Sequence, residues 1–233
     1  MNKLTKAGFA GLFLSLTAVL ASCGGSSTST TDTAAVTADV YPVTVGDLTL
    51  EAQPVSIISL SPTATEMLYA IGAGSQVVAV DEYSNFPAEA VALGTTLSGF
   101  EPNIEAISGY SPDLVIISYD PGSLVEQLGT LNIPVFVAGA AMSLENVYEQ
   151  IEQLGVLTGH SQAAIEVSKT LQTGIEDAVA SVKFSEPPLS YYYELDNTYY
   201  SVTSNTFVGQ IFNLFGMRNI ADNVESGNDY PQL

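Results

Sequence analysis

Cys23 is the one cysteine of the 233-residue chain. A lone thiol can serve as a nucleophile, as a buried apolar residue or as an attachment point, and its neighbours choose among these. Lys3 and Lys6 open the chain, a short apolar run follows from Ala7 to Leu20, and Ala21-Ser22 place small residues just before the thiol. This is the anatomy of an export signal with its cleavage site. The apolar run is shorter than the ~20 residues that span a bilayer, so a membrane-spanning anchor is the weaker reading. The other reactive side chains are sparse. His160 is the sole histidine and falls at a predicted helix break. A nucleophile–base–orienter triad lacks its base, and a zinc-type site lacks its imidazoles. Paired carboxylates for glycoside hydrolysis are allowed by composition, yet no motif supports them. The residue types point away from an enzyme and away from a bound metal or cofactor.

Charge narrows the partners. The chain carries 25 acidic and 5 basic residues, a formal net charge of −20. Beyond Cys23 the bases are Lys169, Lys183 and Arg218 alone, and from Gly24 to Ser168 there is no lysine or arginine. Nucleic acid and anionic lipid surfaces require bases to neutralise phosphate, so both are excluded as partners. An anionic ligand held by arginine clamps is excluded from the first half. The acidity suits a soluble surface kept from self-association, and a monomer is expected. It also leaves open an acidic face that meets a basic partner.

The elements that must position any site follow from periodicity. Residues 23–39 are a Gly/Ser/Thr/Ala-rich flexible tether. Strands are predicted at 55–60, 77–80, 114–118 and 134–137. Between them lie helices at 62–71, capped by Ser61 with Pro62 in the first turn, from Asn103, and at 123–128. Thr63 and Glu66 also have capping-box spacing. Such β–α alternation means an α/β fold with a parallel sheet covered by helices. A helix at 143–157 and a long one at 161–183 follow, the second with Ser161 as its cap. Ile165, Leu171, Ile175, Val179 and Val182 recur at helical spacing along it, and at ~1.5 Å per residue it would run ~34 Å. A strand at 189–195 and a helix at 205–214, stopped by Gly216, open a second α/β lobe. That lobe has too few elements to close its own sheet, so the chain is expected to be cut short at its C-terminal end.

In a parallel sheet, ligand-facing loops follow the strand ends. This singles out Ser61, whose helix start directs backbone N–H groups outward, Tyr83 after the second strand, and Tyr119 after the third. Core or ordinary loop packing competes with a ligand role at each. Tyr191-Tyr192-Tyr193 alternates across a strand and is assigned to the core.

Leu20-Ala21-Ser22-Cys23 resembles the lipobox of bacterial lipoproteins, which implies cleavage after Ser22 and lipid on Cys23. Residues 55–66, Val55 to Glu66, look like the opening strand and helix of the helical-backbone substrate-binding proteins. These serve ABC importers of cobalamin and ferric siderophores. Asn103-Ile104-Glu105-Ala106-Ile107 with Ser111-Pro112-Asp113-Leu114-Val115-Ile116, Thr203-Ser204-Asn205-Thr206-Phe207, Gly216-Met217-Arg218-Asn219-Ile220-Ala221 and Tyr230-Pro231-Gln232-Leu233 are similar to further segments of that family, in order. The resemblance covers about residues 53–233. It implies two α/β lobes joined by one stiff helix, a ligand in the cleft between them, and no enzymatic activity. The parse becomes signal 1–22, tether 23–39, first lobe 40–160, connecting helix 161–183 and second lobe 184–233.

By the same resemblance Tyr83 and Tyr200 match cleft aromatics, and Phe100 and Tyr119 lie within about a residue of such positions. Rings give broad, rigid contact with a polar tip, which suits a corrin or an iron chelate. Glu105 matches the glutamate that pairs with arginines of the membrane permease. With the first lobe free of bases, a cobalamin-like corrinoid ranks ahead of a ferric hydroxamate siderophore, and both ahead of anionic siderophores. The contrasting reading is a secreted surface lipoprotein with a hydrolase or adhesin role. Either way, the protein is placed outside the cytoplasm, lipid-anchored to the cell membrane.

Overall fold

A computed structural model describes residues 39–233. The expected signal, Cys23 and all of the tether before Asp39 lie outside the described residues.

The described chain opens with a hairpin. β1 (Val43–Val45) pairs antiparallel with β2 (Leu48–Leu50), and Gly46 takes the positive φ of +56° that the tight turn demands. β3 (Ile57–Leu60), α1 (Pro62–Ala70), β4 (Val77–Val80), α2 (Ala88–Val91), α3 (Ile104–Gly109), β5 (Leu114–Ile117), α4 (Leu124–Gly129) and β6 (Val135–Val137) follow. The four later strands form one parallel sheet in the order β4-β3-β5-β6. Every residue of β3 and β5 is buried, which is why these strands read as continuous apolar runs rather than as alternation. The two faces still alternate. Ile57, Leu114 and Ile116 pack beneath α1 and the hairpin. Ile58, Leu60, Val115 and Ile117 pack with Ile107 of α3 and Leu124 and Leu128 of α4.

The Ser-Pro-Asp segment before β5 has a visible task. Asp113 Oδ2 accepts the N–H groups of Val55 at 2.9 Å and Ser56 at 3.0 Å, and its own N–H donates to Ser56 O at 2.8 Å. One side chain thus sets the start of β3 beside the start of β5.

Two antiparallel helices follow, α5 (Leu144–Thr158) and α6 (Ser161–Ala180), joined by Gly159 at φ +77°. A Cβ on Gly155 would collide with the Cβ of Ala164, so this pair of small residues sets how closely the helices approach. The buried stripe of α6 is Ala164 and Ser168. Ile165 and Leu171 lie on α6 yet are exposed, and Val182, also exposed, lies past its end. The expected Ser161 cap is replaced. Residue 160 occupies the cap position without a side-chain bond, and Asp39 Oδ2 accepts the Ser161 N–H at 3.0 Å. A carboxylate at a helix start also meets the positive end of its dipole. α6 stops at Ala180 rather than at Lys183, a length of about 30 Å at ~1.5 Å per residue. His160 is half-buried, its Nδ1 2.9 Å from Thr158 O.

The second lobe begins with β7 (Ser190–Tyr191), α7 (Phe207–Leu214) and β8 (Arg218–Asn219), with β7 and β8 parallel. The strand expected over 189–195 contracts to two residues because its partner β8 offers only two. The rest of that run turns back on itself, with Leu195 N–H donating to Tyr200 O at 2.9 Å. Tyr191 is buried and stacks on Phe212 with ring centroids 4.2 Å apart. Tyr192 and Tyr193 are exposed, so only the first tyrosine of the block joins the core. Thr206 caps α7 by accepting from Gly209 N–H at 3.1 Å, and Gly216, at φ +63°, follows its end as expected.

Candidate ligand-binding site

β3 feeds α1 and then β4 on one side, while β5 lies on the other side of β3. Chain direction across the sheet therefore reverses between β3 and β5, and ligands of open α/β sheets bind outside the carboxyl ends of strands at such a point. A cavity of about 370 Å³ opens there. Leu60 and Pro62 line it from the end of β3, Asp81 and Tyr83 from the end of β4, and Ser118 and Tyr119 from the end of β5. Gly99 and Phe100 close it from the loop before α3, which is laid along the sheet by a bridge between Asp81 and Leu97.

Three rings dominate its mouth. Tyr83 meets Phe100 edge to face, with centroids 5.4 Å apart and planes at 86°. Phe100 meets Tyr119 at 6.2 Å and 47°. These rings touch one another, yet they are 54 %, 61 % and 45 % exposed respectively. A contiguous exposed aromatic patch marks a binding surface, and none of the residues around this cavity is basic.

Beneath the rings runs a chain of hydroxyls. Ser59 Oγ donates to Ser61 O at 3.1 Å, and Thr65 Oγ1 donates to Ser59 Oγ at 2.8 Å. Thr65 Oγ1 and Ser84 Oγ lie 2.9 Å apart, and Ser84 Oγ lies 2.6 Å from Asp81 Oδ1. The hydroxyls thus tie the first turn of α1 to the buried carboxyl of Asp81, with Ser84 donating to Oδ1. Asp81 is 4 % exposed. Burial pushes its carboxyl up from the usual carboxylate range, more than the hydrogen bonds from Ser84 pull it down. A buried acid at the end of a strand carries no distinctive sequence signal, and neither Asp81 nor Gly99 was singled out by sequence reasoning.

Tyr83, Phe100 and Tyr119 are thus brought together. Ser61 lies beside them but is buried, and its hydroxyl accepts the Ala64 N–H at 3.3 Å as the cap of α1. Thr63 lies inside that helix, so the capping-box spacing with Glu66 is not used. Pro62 rather than Ser61 lines the cavity. Tyr200 lies in the second lobe, bridged antiparallel to Gln232, and is exposed. Its Thr203 neighbour is fastened through Oγ1 to Asp229 Oδ1 at 2.7 Å, while Ser204 binds Asp222 through both N–H and hydroxyl. Glu105 is exposed in the first turn of α3, whose cap Asn103 accepts from Ala106 N–H at 2.9 Å.

Residues 57–233 match the sequence profile of the family described as periplasmic binding protein. The chain belongs to this family. It is a family of binding proteins rather than enzymes, in line with the sequence expectation, and the hydrolase or adhesin alternative finds no support in it. Among relatives of this periplasmic binding protein, the cobalamin-binding protein of Halobacterium salinarum is 32% identical over 205 residues, covering 83% of this chain and 54% of the relative. An uncharacterized ABC transporter substrate-binding lipoprotein of Bacillus subtilis, YvrC, is 28% identical over 93% of this chain and 73% of its own length. Among solved structures, the periplasmic vitamin B12 binding protein BtuF of Vibrio cholerae superposes with a TM-score of 0.61 at 27% identity, over 77% of this chain and 70% of that one. The chain spans about half the length of the first curated relative that it matches.

Proposed function

We propose that this periplasmic binding protein captures a large, ring-bearing metal chelate and presents it to an ABC importer. A cobalamin-like corrinoid is the first choice and a ferric hydroxamate the second. The observation that carries the reading is the row of Tyr83, Phe100 and Tyr119 standing exposed over the cavity at the switch point of the sheet. Such rings offer broad apolar contact area with few rotatable bonds to fix on binding. The names of the Halobacterium and Vibrio relatives support the corrinoid, and the cavity's lack of bases disfavours ligands that need cationic clamps.

The rest of the assignment belongs to the same proposal. Residues 40–160 form the first lobe, 161–183 the connector and 184–233 the second lobe, which contributes Tyr200 to the far wall of the cleft. Ser61 acts by holding the first turn of α1 beneath the ligand. Glu105 docks against arginines of the permease, where charge complementarity sets orientation and on-rate. Cys23 carries lipid and keeps the protein outside the cytoplasmic membrane, as the lipoprotein name of the Bacillus relative supports. Calorimetric titration with cyanocobalamin and separately with a ferric hydroxamate tests the reading. Sub-micromolar binding of one is expected, with Tyr83→Ala and Tyr200→Ala each weakening it at least ~10-fold, the loss of a hot-spot aromatic. No binding of either ligand, or unchanged affinity in both variants, would remove the cleft assignment.

A further inference from the structure

The cavity has a polar corner that the aromatic rings do not explain. Ser84 engages Asp81 Oδ1, whereas Oδ2 lies against Gly99. A Cβ on Gly99 would begin 3.1 Å from Asp81 Oδ2 and 2.9 Å from the carbonyl oxygen of Leu60. Any larger residue at position 99 would cover both oxygens, so glycine keeps two acceptors converging on one edge of the cavity. Asp81 is buried, and with Oδ1 taken by the Ser84 hydroxyl, Oδ2 of the carboxylate is left to accept.

We infer that the Asp81–Gly99–Leu60 corner is a subsite for an uncharged N–H donor of the ligand, such as a primary amide, and that it rejects a carboxylate at the same place. An amide NH2 has two hydrogens for two oxygens. A carboxylate brings a third and fourth acceptor against them, with no base nearby to compensate, and unpaired buried acceptors are costly. Within the reading proposed above, on which this rests, the corner selects among corrinoids and iron chelates by their peripheral groups rather than by their metal.

The probes are cyanocobalamin, whose ring edge carries primary amides, its monocarboxylic acid derivatives made by hydrolysing single amides, and haem, which carries carboxylates. The wild-type protein should bind cyanocobalamin ~10-fold more tightly than at least one monocarboxylic derivative, the size of one well-made hydrogen bond, and more tightly than haem. Asp81→Ala should lose ~10-fold and most of the discrimination, and Gly99→Ala should show the same loss by covering the corner. Thermal melts of each variant separate lost binding from lost fold, and the wild-type comparison needs no variant. If cyanocobalamin and all its monocarboxylic derivatives bind the wild type equally, the subsite is wrong while the corrinoid reading stands. Unchanged discrimination in a folded Asp81→Ala protein has the same meaning. Haem bound more tightly than cyanocobalamin overturns the subsite and the ligand order together. Binding of none of them removes the cleft reading itself.

Discussion

At the scale of single residues, Asp81 is the described carboxyl that the fold pushes upward. Burial raises its carboxyl, so the fold favours the protonated form. The stability that this group contributes is fully present below its unfolded value near 3.8 and is lost as the pH rises through the higher folded value. Glu82 adds a smaller push in the same direction. Asp81→Asn, neutral at every pH, should therefore melt above the wild type at pH 7. The gap should close on acidification toward pH 4. Melting curves across that range check this, and a gap that grows at low pH would contradict it. The residues that sequence reasoning found and missed divide along a physical line. Tyr83 and Tyr119 are legible because a large ring just after an apolar strand is out of place unless it contacts something. Asp81 occupies a similar position, but acids abound in this chain, and nothing in the letters distinguishes the buried one. Gly99 is legible only once the carbonyl and carboxylate beside it are placed.

At the scale of elements, the crossing of α5 and α6 is set by Gly155 against Ala164. Gly155→Ala would ordinarily favour a helix, by up to ~1 kcal/mol. Here the added methyl has to force the helices apart, and overpacking costs about 1–3 kcal/mol. The net expectation is a lower melting temperature despite the better helix former, measured by calorimetry. A higher one would show that the crossing relaxes freely. The first lobe was readable at this scale because burial on both sheet faces demands uninterrupted Ile, Leu and Val, and Asn103 and Ser143 announce their helices by capping them. The hairpin before β3 has a short signal, Val-Thr-Val and Leu-Thr-Leu flanking the two-residue turn Gly46-Asp47. The strand over 189–195 is shorter than its propensity suggests because propensity cannot supply a pairing partner. The sequence points to Ser161 as the α6 cap because the acceptor that serves this helix start, Asp39, lies 122 residues away.

At the scale of the whole molecule, charge separates two tasks. The acidic surface contributes nothing to an aromatic, base-free cavity, but it suits docking on a basic partner. Glu105, exposed on α3 and absent from the cavity lining, is the residue proposed for the second task. Glu105→Ala should leave calorimetric affinity for the ligand unchanged and lower permease-dependent uptake several-fold, more steeply at low salt, where long-range attraction is least screened. Equal uptake by the variant would withdraw the docking role.

The row of rings over the cavity also makes the protein its own optical probe. The chain has 12 tyrosines and no tryptophan, so its ultraviolet emission is tyrosine emission. Two of those emitters, Tyr83 and Tyr119, line the site. A corrin or porphyrin seated among them absorbs strongly where they emit. Occupancy should therefore be readable as quenching, without a label, and replacing both by phenylalanine would dim that signal while leaving the rings in place.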